Sequence, residues 1–421
     1  MASPRVSWAW VPTLYFAEGL PYVLIVTVSA IMFKQLGISN TEVALYTSWL
    51  YLPWVIKPFW SPFVDLVKTK RWWLLLTQLI LGAGLASVAL TLKTTGFFRW
   101  SLAIMWLLAF SSATHDISID GFYMLALDEG EQSLFVGIRN TAYRIAMIAG
   151  QGGLLMLVGL FEKMSGNTAR AWSMGFLIAG GLIILLWLYH SYILPHPVAD
   201  CTTGVSGRNI LREFGMTFVS YFKKPDIIPA LLFILLFRFP EAQLGKIAPL
   251  FLVDSQAAGG LALSTSQVGF AQGTLGVIGL LLGGILGGVT LSRFGLKRCI
   301  WYMVAAISVP DLVYVYLSWL PTQNMALIST CIFIEQLGYG FGFTAYTLFL
   351  MYFARGEHQT SHYAISTGIM ALGMMLPGMI SGKLQDMMGY RTFFIWVIAC
   401  CAVTCVVSAI IKYEPDFGKK Q

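Results

Sequence analysis

Charge is what this sequence has least of. Only 11% of its 421 residues are Asp, Glu, Lys or Arg, whereas soluble domains carry about 25%. A water-facing surface cannot be built from so few charges. With 57% hydrophobic residues, the chain reads as an integral membrane protein whose solvent is the lipid bilayer. Cysteine is scarce as well. Cys299, Cys331, Cys400, Cys401 and Cys405 fall in apolar segments and Cys201 in a polar one, with no metal-type spacing. Neither a disulfide framework nor a metal centre is expected, and the thiols read as packing residues. A cleavable signal peptide is not expected either. The first apolar run is too long and lacks a small-residue cleavage site, so it reads as a span.

What is present is a series of long apolar runs. A spanning helix needs about 20 apolar residues, and only helices or closed barrels satisfy every backbone group inside lipid. Twelve spans are expected, near 10–33, 41–64, 72–93, 100–127, 134–162, 171–194, 227–253, 265–291, 298–320, 325–353, 363–388 and 392–412. With both ends inside, the inner loops hold Lys68, Lys70, Arg71, Arg139, Arg208, Arg212, Lys223, Lys224, Arg293, Lys297, Arg298 and Arg355. The outer loops hold only Lys34, Lys93, Arg99, Lys163, Arg170 and Arg391. The positive-inside rule therefore puts both termini in the cytoplasm. It also accounts for most of the +7 net charge, so no nucleic-acid partner is needed to explain it.

The longest polar segment divides the chain into two six-helix bundles, 1–197 and 226–421, joined by a cytoplasmic linker, 198–225. Its LREFGMTFVSYF portion reads equally as an amphipathic surface helix or as a plain connector. The halves look like repeats. SPFVDLVKTKR follows the second span and GGVTLSRFGLKR the eighth. The second of these resembles the signature loop of the major facilitator superfamily, with Ser292 where that family has Asp; the first keeps Asp65 but lacks the Gly. Asp65, Lys70, Arg71, Arg293, Lys297 and Arg298 are therefore candidate gating residues. Basic inner loops can pair with helix C-termini and bias a two-state switch, or serve as an orientation signal alone. Gly279, Gly283 and Gly287 recur at four-residue spacing, which lets helix backbones approach closely. Major facilitator halves rock about a site near the midplane, and that resemblance implies the same here.

The fourth span carries SSATHDISIDGFYMLAL. An intramembrane carboxylate costs roughly 2.5–3.5 kcal/mol on insertion scales, so Asp116 and Asp120 need a reason. Four residues apart, they share a helix face, extended by Ser112 and Tyr123. Two carboxylates in a low-dielectric site do not ionise together easily, which suits a proton carrier. The other reading is a static ion pair, with Lys57 and Arg144 as candidate partners. Tyr15, Glu18 and Tyr22 in the first span, Arg238, Glu241 and Lys246 in the seventh, and Glu335 and Gln336 in the tenth are further intramembrane polar groups, Lys246 being near enough to the end to snorkel. Two patterns imitate enzymes. His115 to Asp120 matches the HxxxxD of membrane acyltransferases but lies mid-span without a companion block. His358 to His362 imitates a zinc-protease helix, yet Gln359 stands where that chemistry needs Glu. His190 and His196 read as interfacial. No enzyme is expected.

FAEGLPYV (16–23), IKPFWSPFVD (56–65), ATHDISIDGFYML (113–125), YRIAM (143–147), FRFPEA (237–242), FIEQLGYGFG (333–342) and HYAISTG (362–368) resemble the AmpG muropeptide permeases over nearly the whole chain. The Lys-x-x-Trp-Ser-Pro-x-x-Asp and Asp-x-x-x-Asp elements also recur in the acetyl-coenzyme A transporter family. Asp120-Gly121-Phe122 leans that way, and His115 replaces a Gln common to both. The resemblance implies a twelve-helix major facilitator fold and proton-driven import of N-acetylglucosaminyl-anhydromuropeptides across a bacterial inner membrane, with Asp116 and Asp120 essential. Proton coupling is expected of Asp116 and Asp120. Substrate binding is expected of Lys57, Arg144, Arg238, Glu241, Glu335, Gln336, Tyr15, Glu18, Tyr123 and Tyr339. The substrate expected is a small amphipathic or glycan molecule of anionic character, the only driving partner protons, and the protein a monomer without cofactor. Alternatives are a carrier of another oligosaccharide or of acetyl-coenzyme A, and a glycan-binding receptor that does not translocate. AGQGG in the fifth span lacks the proline of an antiporter signature, which favours symport.

Overall fold

The computed structural model describes residues 4–198, 200, 207–356, 359–414 and 417. Among them there are helices, turns and loops but no β-strand. Ten helices, from Ser7–Gln35 to Ser361–Ile410, are long and apolar enough to cross a membrane. Two further crossings are concealed by local breaks. One is divided into Asn40–Trp49 and Leu52–Val67, where Pro53 opens the second piece and Lys57 lowers its hydropathy. The other lies in the 52-residue helix Gln359–Ile410. At 1.5 Å per residue such a helix would run about 78 Å, more than twice the hydrocarbon thickness of about 30 Å. Gly389 breaks it at φ 72°, a backbone state that glycine reaches without strain. The chain is thus an all-α membrane protein of twelve transmembrane helices.

The helices pack as two units. One comprises Met1–Met32 and Ile56–Arg212, the other Phe33–Val55 and Glu213–Gln421. A cut at the polar linker would leave residues 33–55 with the first half, but their packing lies in the second unit. Glycines on the Gln359–Ile410 helix explain this. A Cβ on Gly382 would run into the Asn40 carbonyl, and one on Gly378 would stand 2.7 Å from Ser48 Oγ. Polar bonds then fix the register. Asn40 Nδ2 donates to Gln385 Oε1 at 2.5 Å and to Tyr390 Oη at 2.9 Å, Thr41 Oγ1 donates to Asp386, and Lys34 pairs with Asp254 at 2.8 Å. The linker residues Gly207–Phe222 form a helix, tied down by the buried Tyr221, whose hydroxyl meets Ser366 Oγ at 2.9 Å.

The glycine ladder of the eighth span faces the Met325–Ala354 helix. A Cβ on Gly279, Gly283 or Gly287 would collide with the Phe333, Leu337 or Phe341 carbonyl, whereas one on Gly284 or Gly288 would meet nothing within 4 Å. Gly340 returns the contact against Leu280. Backbones this close leave no room for a side chain, and overpacking costs about 1–3 kcal/mol or more. Gly283→Val is therefore expected to lower the melting temperature of the detergent-solubilised protein by several degrees or remove the folded peak in size exclusion. Gly284→Val is expected to do neither; equal damage from both would count against direct helix contact.

Candidate functional site

In the first unit, four helices converge on one charged cluster. Pro4–Val23 supplies Tyr15 and Glu18, Leu52–Val67 supplies Lys57, Phe97–Ala126 supplies Asp116 and Asp120, and Glu129–Met147 supplies Arg139. Lys57 pairs with Asp116. Tyr15 Oη donates to Asp120 Oδ1 at 3.1 Å, and Arg139 Nη1 lies 3.0 Å from Tyr15 Oη and 3.3 Å from Asp120 Oδ1. The Arg139 guanidinium also sits over the Tyr15 and Tyr123 rings, 5.2 Å from each centroid. Glu18 lies close enough to Asp116, Asp120 and Lys57 to feel their charges, and its Oε2 is buried with no hydrogen-bond partner. The Asp120 side chain is 45% exposed toward the C-terminal end of the helix Phe97–Ala126, and a carboxylate exposed to hydrocarbon is costly, which favours an accessible polar space on this face.

Three carboxylates and two cations therefore share one electrostatic cluster, with Lys57–Asp116 and Arg139–Asp120 as its ion pairs. Their formal sum is −1 when all are ionised, and a single proton makes the cluster neutral. A like-charged carboxylate pair such as Glu18 and Asp116 tolerates proximity when it holds a proton or faces a cation, and both conditions are available here. The expected partner Lys57 is in place. Arg144, the other cation expected, is not a partner of either Asp: its guanidinium reaches Met147 Sδ at 3.6 Å. Arg139 and Arg144 are five residues apart and so fall on different helix faces. Tyr15 and Tyr123 are buried, and the Tyr123 hydroxyl donates to the Gln132 carbonyl. Their rings hold Arg139.

In the second unit, Arg238 donates to the Tyr339 hydroxyl and lies 4.7 Å from the Phe343 ring centroid. It occupies the break between helices Ile227–Leu236 and Phe239–Val253. Gln336 Nε2 donates to both oxygens of Glu335, at 3.2 and 3.0 Å. Glu335 stands beside Glu241 and Asp311, with one carboxylate oxygen from each residue within 4.8 Å of the other two. Tyr346 is fully buried, with its hydroxyl on the Ile234 carbonyl at 2.7 Å. Lys246 does not snorkel. It is buried, donates to Thr47 Oγ1 at 3.1 Å and lies over the Tyr51 ring, because Gly378 leaves room beside its stem.

The gating candidates separate. The Asp65 side chain lies outside the described residues. Lys70 and Arg71 open the helix Lys70–Thr91, and their backbone N–H groups donate to the Asp200 carboxylate at 2.7 and 3.0 Å. Asp200 thus caps the helix from the start of the linker, a link that no local spacing announces. Arg293, Lys297 and Arg298 are exposed around Gly295, and no ion pair is found for them among the described residues. His115 is buried, and neither ring nitrogen has a hydrogen-bond partner. His190 is not interfacial but buried between Gln78 Oε1 at 2.9 Å and Thr13 Oγ1 at 3.0 Å. His362 meets Ser220 Oγ at 2.9 Å, and His358 lies outside the described residues.

A family model for the Major Facilitator Superfamily matches residues 13–377. The chain belongs to that superfamily. Among its relatives is the anhydromuropeptide permease of Escherichia coli K12, 24% identical over 418 residues that cover 96% of this chain and 80% of the permease. Another is the Rickettsia conorii protein named for AmpG transporter 4, 24% identical over 399 residues and 91% of each chain. Solved structures of like fold include a D-xylose–proton symporter, with TM-score 0.75, 11% identity and full coverage of both chains. A nucleoside transporter, NupG, aligns with TM-score 0.71 and 18% identity over 96% of this chain and 99% of its own. The superfamily and these structures are transporters, and a multi-pass secondary transporter for a small substrate is the function they share with this fold.

Proposed function

We propose that the chain is a proton-coupled symporter that imports anhydromuropeptides across a bacterial inner membrane, with both termini cytoplasmic. The observation that carries the reading is the first-unit cluster, in which Asp116, Asp120 and Glu18 face Lys57 and Arg139 and stand one proton from neutrality. Protonation removes the net charge and lowers the cost of closing low-dielectric surroundings over the cluster. The muropeptide assignment is supported by the names of the relatives. It also fits the available cations: Arg144 reaches the Met147 thioether and Arg238 the Tyr339 phenol and the Phe343 ring, and a guanidinium held by such weak partners can take a substrate carboxylate in the bidentate manner. Tyr339, half-buried, is the ring best placed to touch a sugar face.

The test is internal pH in proteoliposomes loaded with a pH-sensitive dye. Adding N-acetylglucosaminyl-anhydromuramyl peptide outside is expected to acidify the interior. No acidification from intact protein would remove the muropeptide, and the same readout then screens other oligosaccharides and coenzyme A esters. Arg144→Leu is expected to weaken uptake of peptide-bearing, anionic substrate by about tenfold or more, from the ~1.5–3 kcal/mol of a charged hydrogen bond, and to spare the neutral disaccharide. Equal losses for both, measured by competition, would exclude a role in anion recognition.

A further inference from the structure

The carboxylates of Glu241, Asp311 and Glu335 come from three separate helical segments of the second unit. Glu241 lies in the first turn of Phe239–Val253. Asp311 ends the short 3₁₀ turn Val309–Asp311 between two helices, and Glu335 is on Met325–Ala354. Gly338 admits the turn: a Cβ there would strike the Ala306 carbonyl and stand 2.7 Å from Pro310. All three residues are more than nine-tenths buried, at 6%, 1% and 3% exposure. Among the described residues the cation acting on Glu241 is Arg238, which Tyr339 and Phe343 engage. Buried carboxylates are ordinarily paired or bound to a metal. Here Glu241 Oε1 and Asp311 Oδ1 are buried with no hydrogen-bond partner.

The spacing identifies what would satisfy them. One oxygen from each residue lies within 4.8 Å of the other two. A cation bound to oxygen at about 2.3–2.6 Å, the range of Ca²⁺, can bridge oxygens only when no two are farther apart than about twice that distance, and separations within 4.8 Å satisfy this at the upper end of that range. Na⁺ is of similar size and equally prefers oxygen, whereas Mg²⁺ needs about 2.0–2.1 Å and a near-ideal octahedron. We propose that Glu241, Asp311 and Glu335 form a binding site for a hard cation of sodium or calcium size within the second unit. The site is independent of the proton reading of the first-unit cluster and holds or fails without it.

The test is thermal unfolding of the purified full-length protein in detergent at constant ionic strength and pH, titrated with NaCl, CaCl₂, KCl or choline chloride. A ligand that binds only the native state raises the melting temperature in a saturable way. NaCl or CaCl₂ is expected to do so by several degrees, and the one that saturates lower identifies the natural ion; KCl and choline chloride are not. The shift is expected to vanish in Asp311→Asn and Glu241→Gln and to persist in Asp226→Asn, whose carboxylate is at the protein surface with Lys412. The wild-type titration decides by itself if a variant does not fold. Equal melting temperatures in all four salts would overturn the proposal, as would a shift that survives in Asp311→Asn. Stabilisation by lower pH alone, with no response to either metal, would assign the cluster to protons and overturn it too.

Discussion

Asp116→Asn is expected to abolish accumulation of substrate against its gradient while leaving exchange at equal concentrations measurable. Asn has the shape of Asp and can still accept the Lys57 hydrogen bond, so the local fold should survive. What it cannot do is exchange a proton. In the wild type, each net positive charge carried across 100 mV contributes about 2.3 kcal/mol. At ~1.4 kcal/mol per tenfold, that supports roughly 50-fold accumulation. Without a titrating group the carrier equilibrates its substrate and stops, so the whole of that factor is at stake. The measurement is uptake of labelled muropeptide into proteoliposomes under an imposed proton gradient, paired with counterflow. Normal accumulation would make Asp116 a static partner of Lys57. Loss of both accumulation and counterflow would place it in substrate binding or folding.

That cluster was partly legible in the sequence, for reasons of cost and periodicity. A carboxylate in an apolar run is expensive wherever it falls, so Asp116 and Asp120 announced themselves, and their spacing of four put them on one face. Lys57 was legible by the same cost, as an unexplained cation in a second span. Arg139 was not, because it lies close enough to a predicted loop to be counted with the orientation charges. The missed signal was a helix start. Asp128 and Glu131 form a reciprocal capping box, which begins the helix at Glu129 and puts Arg139 well inside it. Asp311 was hidden differently. Val-Pro-Asp reads as a local break, and its partners Glu241 and Glu335 are far away in the chain, where no helical period relates them. The placement of residues 33–55 depended on Gly378 and Gly382, whose spacing reads as close packing but does not name the partner. The twelve crossings were readable because apolar length is itself the physical requirement.

Arg139→Leu is expected to reduce transport about tenfold or more, the loss of a partly buried ion pair, and to do so through Asp120. The guanidinium is shared between Asp120 Oδ1, the Tyr15 hydroxyl and the faces of two rings. Removing it leaves Asp120 with the Tyr15 hydrogen bond alone. Breaking a fully buried pair costs ~3–5 kcal/mol and an exposed one ~0–1. The two side chains here are 30% and 45% exposed, so about 1–3 kcal/mol is expected, seen as a fall of several degrees in melting temperature and at least a tenfold loss of uptake. Arg139→Lys keeps the charge but not the planar fork that bridges carboxylate, phenol and ring, and should recover stability more fully than transport. The double variant Arg139→Leu/Asp120→Asn separates the roles. Neutralising both partners removes the orphaned charge, so the melting temperature should return toward wild type. Accumulation should remain absent if Asp120 takes part in coupling. Wild-type uptake and melting temperature in the single Arg139→Leu variant would instead return Arg139 to the role its position first suggested, an inner-loop cation that orients the chain.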